Sequence, residues 1–112
     1  MNFETKAETL RGIVTKSTKR FIAGCKKDGE VAVIVADDGT RSFNLYRIGV
    51  AGPETILLVG ETDEGRHIEA ILHHSAVRIS MIAVPQNDER AQRRAIGFTA
   101  DHREPDGLTD IG

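Results

Sequence analysis

Aromatic residues, cysteines and long apolar runs are all scarce in this chain. Its 112 residues include no tryptophan, one tyrosine and four phenylalanines, so aliphatic side chains must build the core. The single cysteine, Cys25, excludes an internal disulfide and a cysteine-based zinc site. Apolar runs fall short of the roughly 20 residues of a membrane-crossing helix, and the first ten residues lack the apolar centre of a secretory signal. We therefore expect one cytoplasmic domain without a membrane partner.

Charge is unevenly distributed, although the net charge is only −2. Residues 29–84 contain eight acidic side chains against four arginines. Residues 1–28 contain three acidic side chains against seven basic ones: Lys6, Arg11, Lys16, Lys19, Arg20, Lys26 and Lys27. A basic segment on an acidic body suits an anionic partner, and it equally suits a segment that covers the acidic surface of its own body or of a neighbouring subunit.

Residues 5–27 are predicted to form a helix. Thr5 followed by Glu8 has the form of a capping box. Small and apolar side chains recur every three or four residues and predict one buried face, made of Leu10, Ile13, Val14, Ser17, Phe21, Gly24 and Cys25. Glycine, threonine and valine lower the helix propensity of this segment, and two strands at residues 9–16 and 20–26 are the open alternative.

Five short strands are predicted after the helix, because the hydrophobic period changes there from helical to alternating. The turn signals DDG, AGP and DEG separate several of them. The predicted strands are residues 31–36, 42–50, 55–60, 66–72 and 76–84. The fold class is therefore mostly β with an N-terminal helix, and we expect a small, strongly bent, five-stranded antiparallel barrel.

The last part of the chain, residues 87–112, is predicted to hold a short helix and a flexible tail. Asn87 is a suitable cap for a helix over residues 87–96. Residues 99–112 combine proline, glycine and scattered charges with little apolar content. The chain thus divides into a basic helix packed on the barrel (residues 1–28), the barrel (residues 29–86) and the helix with its tail (residues 87–112).

Short sequence motifs accompany this order of elements. DG lies in the first predicted hairpin, ILLV in the middle strand, and IAVP at the end of the last strand. Over residues 31–85, the combination resembles the Sm-like family, which includes Hfq-type RNA chaperones. His73 and His74 lie near the place of a lysine–histidine pair in Hfq-type members without matching it.

The resemblance implies a homo-oligomeric ring in which the fourth strand of one subunit pairs with the fifth strand of the next. The expected partners are then further copies of the chain and single-stranded RNA. Basic side chains suit phosphates, whereas tyrosine, histidine and arginine suit bases. The candidate RNA contacts are Lys16, Lys19, Arg20, Tyr46, His73, His74 and Arg78.

A second hypothesis is an assembly or protein-interaction module that keeps the barrel but binds no nucleic acid. The acidic body and the scarcity of aromatic side chains for base stacking favour it.

Little in the sequence predicts catalysis or metal binding. In a strand, His73 and His74 would point to opposite faces and could not share a metal ion. In a loop they could, but the sequence shows no obvious third ligand, so a solvated turn is expected. Acidic residues cluster at the predicted turns, and Cys25 is predicted to be a core residue and not a nucleophile. We expect no enzymatic activity, no metal and no cofactor.

Overall fold

The computed structural model describes residues 3–91 and 108–111. An N-terminal helix precedes one antiparallel sheet of six strands. The elements are α1 (Lys6–Lys27), β1 (Glu30–Asp37), β2 (Ser42–Gly52), β3 (Thr55–Glu61), β4 (His67–His73), a 3₁₀ turn (His74–Ala76), β5 (Arg78–Pro85) and β6 (Leu108–Asp110). The predicted helix and five strands are confirmed, and the two-strand alternative for the N-terminal segment is wrong.

The capping box explains where α1 begins. Thr5 Oγ1 accepts a hydrogen bond from the Glu8 backbone N–H at 3.1 Å, and Glu8 Oε1 accepts one from the Thr5 backbone N–H at 2.9 Å. The Thr5 N–H is also the main reason that the pKa of Glu8 lies below its ordinary value. Two donors that the first helical turn leaves unpaired are thereby satisfied.

The buried face of α1 is rotated relative to the predicted face. Ile13 was expected inside but is 56% exposed, and Gly24 is exposed as well. Thr18 is buried instead, because its hydroxyl donates to the Thr15 carbonyl oxygen at 3.0 Å and so carries its own partner. The residues buried on this face are Ala7, Val14, Thr18 and Cys25.

The sheet order is β4-β3-β2-β1-β5. β1 pairs with β5 over its whole length but with β2 only through residues 35–37. β2 then leaves β1 and pairs with β3 from Asn44 to Gly52. One long strand therefore connects the two halves of the sheet and has to bend between them.

A bulge lies at the bend of β2. The register with β3 shifts between Leu45 and Arg47, which places the extra residue at Tyr46. Strict alternation would put Leu45 and Ile48 on opposite faces of the strand. Both are fully buried in the same core cluster, because the bulge reverses the alternation between them.

Gly60 lies on β3 opposite this bend, paired with Leu45. A Cβ atom at Gly60 would overlap the Asn44 carbonyl oxygen, lie 2.9 Å from the Asn44 carbonyl carbon and lie 3.0 Å from Cδ2 of Phe43. Backbone atoms form most of this contact, so no side-chain rotation relieves it. The close approach of the two strands at the bend requires glycine.

Residues 108–111 correct the prediction of a flexible tail for this part of the chain. β6 pairs with residues 47–49 of β2, which also pair with β3, so β6 occupies the edge of β2 that β1 has left. Ile111 is fully buried in the core, and its N–H donates to the Tyr46 carbonyl oxygen at 2.7 Å. The C-terminal segment thus belongs to the sheet.

The other C-terminal predictions are only partly covered by the described residues. Helical structure begins at Glu89, and Asp88, not Asn87, caps it by accepting from the Arg90 N–H at 2.8 Å. Residues 92–107, which contain the rest of the predicted helix, lie outside the described residues.

The core is aliphatic, as the composition predicts. Its largest fully buried side chains belong to one phenylalanine and to isoleucine, leucine and valine: Phe43, Ile34, Leu45, Ile48, Ile56, Leu58, Ile111 and Val33. In the described part of the chain β4 and β5 are the two ends of the sheet, so closure into a barrel stays a prediction. None of the described helices combines the length and apolarity needed to cross a membrane.

We predict that Gly60→Ala destabilises the fold by about 1–3 kcal/mol, because the new methyl group forces two paired strands apart. Gly12→Ala on α1 is the matched control, since its Cβ meets nothing within 4 Å. That change should stabilise the protein by up to about 1 kcal/mol through higher helix propensity. Urea unfolding measures both, and equal effects of the two substitutions would contradict the close approach at Gly60.

Candidate functional site

Three predicted RNA contacts form one basic face of α1. Lys16, Lys19 and Arg20 are spaced by three and four residues, and all three are exposed. Lys16 lies about half a turn from the buried Val14 and Thr18, so the basic face points away from the sheet.

No acidic residue interrupts this face along the helix. Residues 11–27 contain only basic and uncharged side chains. Within the described part of the chain, none of the ion pairs seen involves Lys16, Lys19 or Arg20. The three charges are therefore open to an anionic partner, and their positive potential adds along the helix.

Tyr46 does not lie where the RNA hypothesis needs it. It is the bulge residue of β2 and is only 5% exposed. A base can stack only on a ring face that reaches the surface. The structure therefore does not support the predicted base contact at Tyr46.

Arg78 is exposed at the start of β5. It therefore lies on a different element from the basic face of α1 and far from it in the sequence. It pairs in register with Asp37 of β1. Side chains directly opposite each other in an antiparallel pair share one face of the sheet. The charge of Arg78 therefore has an acidic neighbour, and the structure does not join it to Lys16, Lys19 and Arg20.

The turn after β4 brings His73 and His74 together. His73 ends β4, and His74 begins the 3₁₀ turn. Their ring centroids are 4.4 Å apart, with the ring planes tilted by 37°. The pair thus lies at a turn between two strands, as predicted, and the chain leaves β4 between the two rings, which lets them approach each other.

Glu54 is the third member of this cluster. It precedes β3, and Thr55 pairs in register with His73 across the β3–β4 hairpin. The His74 N–H donates to the Glu54 carbonyl oxygen at 2.8 Å, which holds the two turns together. One carboxylate oxygen of Glu54 and one ring nitrogen of each histidine lie within 4.8 Å of one another.

Sequence reasoning missed Glu54 because it lies 19 positions before His73. The signal that would have found it is hairpin register. A turn at residues 62–66 between β3 and β4 pairs the start of one strand with the end of the other, which places the residue before β3 beside the residue after β4.

A serine supports the His73 ring. Ser75 Oγ lies 2.7 Å from His73 Nδ1, and the Ser75 backbone N–H donates to the same nitrogen at 3.2 Å. His73 therefore caps the 3₁₀ turn with its own side chain. The remaining ring nitrogen, Nε2, takes no part in this capping.

Groups elsewhere have structural roles. Burial raises the pKa of the Cys25 thiol, and the nearby Glu30 and Asp28 carboxylates add to the shift, so the reactive thiolate is disfavoured. The backbone N–H groups of Arg41 and Thr40, each 2.8 Å from Asp38 Oδ1, hold the pKa of that carboxyl below its ordinary value. Asp38 thus fixes the β1–β2 turn as a carboxylate.

Comparisons with protein-family models, curated proteins and solved structures give no significant match for this chain.

Proposed function

We propose that this chain is an Sm-like RNA-binding protein that acts as a homo-oligomer, with β4 of one subunit paired to β5 of the next. The observation that carries the proposal is the sheet order β4-β3-β2-β1-β5, which leaves these two strands at opposite ends of the described sheet. An end strand presents unpaired backbone donors and acceptors that a second copy can satisfy.

The side chains of the two end strands favour such pairing. Each has one large exposed apolar residue, Ile71 on β4 (68% exposed) and Ile82 on β5 (36% exposed). Pairing between copies, whether antiparallel or parallel, would remove both isoleucine side chains from water. This burial would stabilise the oligomer by about 25 cal/mol for each Å² of apolar surface buried.

An apolar groove beside β5 offers further contact area. It has a volume of about 260 Å³ and lies between α1 and β5. Its lining includes Leu10, Ile13 and Val14 from the helix, and Ile79 and Met81 from β5. The groove accounts for the exposed Ile13, because an incoming strand on β5 would cover it.

RNA is the partner that the basic face of α1 suits. Lys16, Lys19 and Arg20 have no acidic neighbour on their helix, and a flexible phosphate chain can follow such a surface without a shaped pocket. Assembly multiplies the face by the number of subunits, so a weak patch on one chain becomes an extended anion-binding surface.

An assembly module without nucleic acid is the second candidate. The burial of Tyr46 favours it, because the only tyrosine is then unable to stack on a base. Glu54 favours it too, since its carboxylate would repel a phosphate that approaches His73 or His74. The two candidates share the oligomer and differ in RNA affinity.

We predict that Ile71→Lys shifts the protein from an oligomer toward the 12.2 kDa monomer, because it places a charge in the paired edge. Light scattering measures the molar mass across a concentration series. Phe3→Lys is the control, since Phe3 is also highly exposed but lies outside the sheet, and its mass should equal that of the wild type. A monomeric wild-type protein, or an unchanged mass in Ile71→Lys, contradicts edge pairing.

We predict that the triple change of Lys16, Lys19 and Arg20 to glutamine weakens binding of U-rich or A-rich RNA by about tenfold or more at low salt. Log affinity decreases linearly with log salt, and this decrease should become shallower by about 2, because each of the three lost phosphate contacts contributes about 0.7 to the slope for single strands. Fluorescence polarisation measures both quantities.

The matched control for the RNA experiment removes three other exposed positive charges, those of Arg41 and Arg66 at turns of the sheet and of Arg90 in the helical turn after β5. Its affinity should stay near that of the wild type. RNA binding that is absent at low salt, insensitive to salt, or equally reduced in the control rejects the RNA proposal. Absent binding with an intact oligomer then selects the assembly module.

A further inference from the structure

We propose that Glu54, His73 and His74 form a binding site for a divalent transition-metal ion, with zinc as the expected ion. The site goes beyond the RNA and assembly proposals and depends on neither. It rests on the convergence of three metal-ligating side chains from two turns, whose ligand atoms lie within 4.8 Å of one another.

Backbone hydrogen bonds build the site and so limit its cost of assembly. The His74 N–H to Glu54 carbonyl bond, at 2.8 Å, ties the turn before β3 to the turn after β4. The Thr55–His73 register of the hairpin fixes the same two segments along their strands. The three ligands are thus neighbours before any ion arrives, which saves the ordering entropy of bringing them together.

The donor set selects the class of ion. Two imidazoles and one carboxylate suit zinc and its transition-metal neighbours, whereas magnesium and calcium require oxygen donors. Tetrahedral zinc with bonds near 2.0–2.2 Å needs ligand atoms about 3.4 Å apart. The ligand atoms here lie within 4.8 Å of one another, and the exposed Glu54 side chain can rotate toward the two rings to shorten that spacing.

Ser75 supplies the outer support that metal-binding histidines use. Coordination through His73 Nε2 leaves Nδ1 to carry the proton, and Nδ1–H can donate to Ser75 Oγ at 2.7 Å. The longer bond from the Ser75 backbone N–H, at 3.2 Å, is given up in that tautomer. Ion binding therefore exchanges the weaker of two contacts at Nδ1 for a coordinate bond at Nε2.

Charge also favours a cation here. Glu54 gives the cluster one negative charge when the two histidines are neutral, and two neutral imidazoles with one carboxylate leave a bound dication with a net charge of +1. Three protein ligands leave one tetrahedral position for water. A zinc ion bound here would hold the β3–β4 hairpin to the turn that follows it.

Isothermal titration of the full chain with ZnCl₂, in a buffer free of chelators, tests the site. We expect saturable binding of one zinc ion per chain, with no matching signal for MgCl₂. Glu54→Gln keeps the backbone bond to His74 and the shape of the side chain, and it should weaken zinc binding by about tenfold or more. His74→Ala should do the same while far-UV circular dichroism stays unchanged.

His67→Ala is the matched control. His67 is exposed, and its Nε2 lies 2.7 Å from Glu69 Oε2, so it offers another histidine and carboxylate elsewhere on the chain. Zinc affinity should be unchanged in this variant. The proposal is overturned by a wild type without saturable zinc binding, by a Glu54→Gln variant that binds as tightly as the wild type, or by equal loss in His67→Ala. A chain that is monomeric and does not bind RNA would still be expected to bind zinc. The zinc proposal and the RNA-binding proposal can therefore fail independently of each other.

Discussion

The bend in β2 is the constraint on which the rest of the fold depends, because this one strand pairs with β1, β3 and β6. A straight strand of that length would continue beside β1 and leave no room for β6. The bulge at Tyr46 changes the direction of the strand, and the missing side chain of Gly60 lets β3 follow it closely. Burial of Leu45 and Ile48 in one cluster then stabilises the bent form over the straight one.

The proposed functions follow from what the bend leaves open. Since β2 connects the two halves of the sheet, β4 and β5 become its ends, each with an unpaired edge in the described chain. The helix covers the core with one face and therefore presents Lys16, Lys19 and Arg20 on the other. The β3–β4 hairpin, which ends the sheet, joins Glu54 to the histidine pair.

Local signals made much of the fold predictable from sequence. Thr5 and Glu8 form their capping box within a single turn, and the strand boundaries follow turn residues such as Gly39 and Gly65, both of which adopt positive φ. These features depend on residues only a few positions apart, so the local sequence pattern is enough to predict them. The basic face of α1 is predictable for the same reason, because its residues are close together in the sequence.

The features that escaped prediction depend on distant residues. β6 has few apolar side chains, and its place is decided by the vacant edge of β2, some 60 positions earlier in the chain. The rotation of α1 that exposes Ile13 depends on the shape of the sheet beneath it, not on the spacing within the helix. Glu54 joins His73 and His74 only through the hairpin register. Tertiary packing determines such contacts, and the residues close to them in the sequence do not predict it.

Amide hydrogen exchange along β4 and β5 tests the pairing of the two free edges most directly. Among residues 3–91 and 108–111, each strand is paired on one side only, so in an isolated subunit every second amide of that part faces solvent. Edge pairing between copies predicts slow exchange at consecutive amides of both strands, lost on dilution as the subunits separate. An alternating pattern of slow and fast amides that persists at every protein concentration would contradict it.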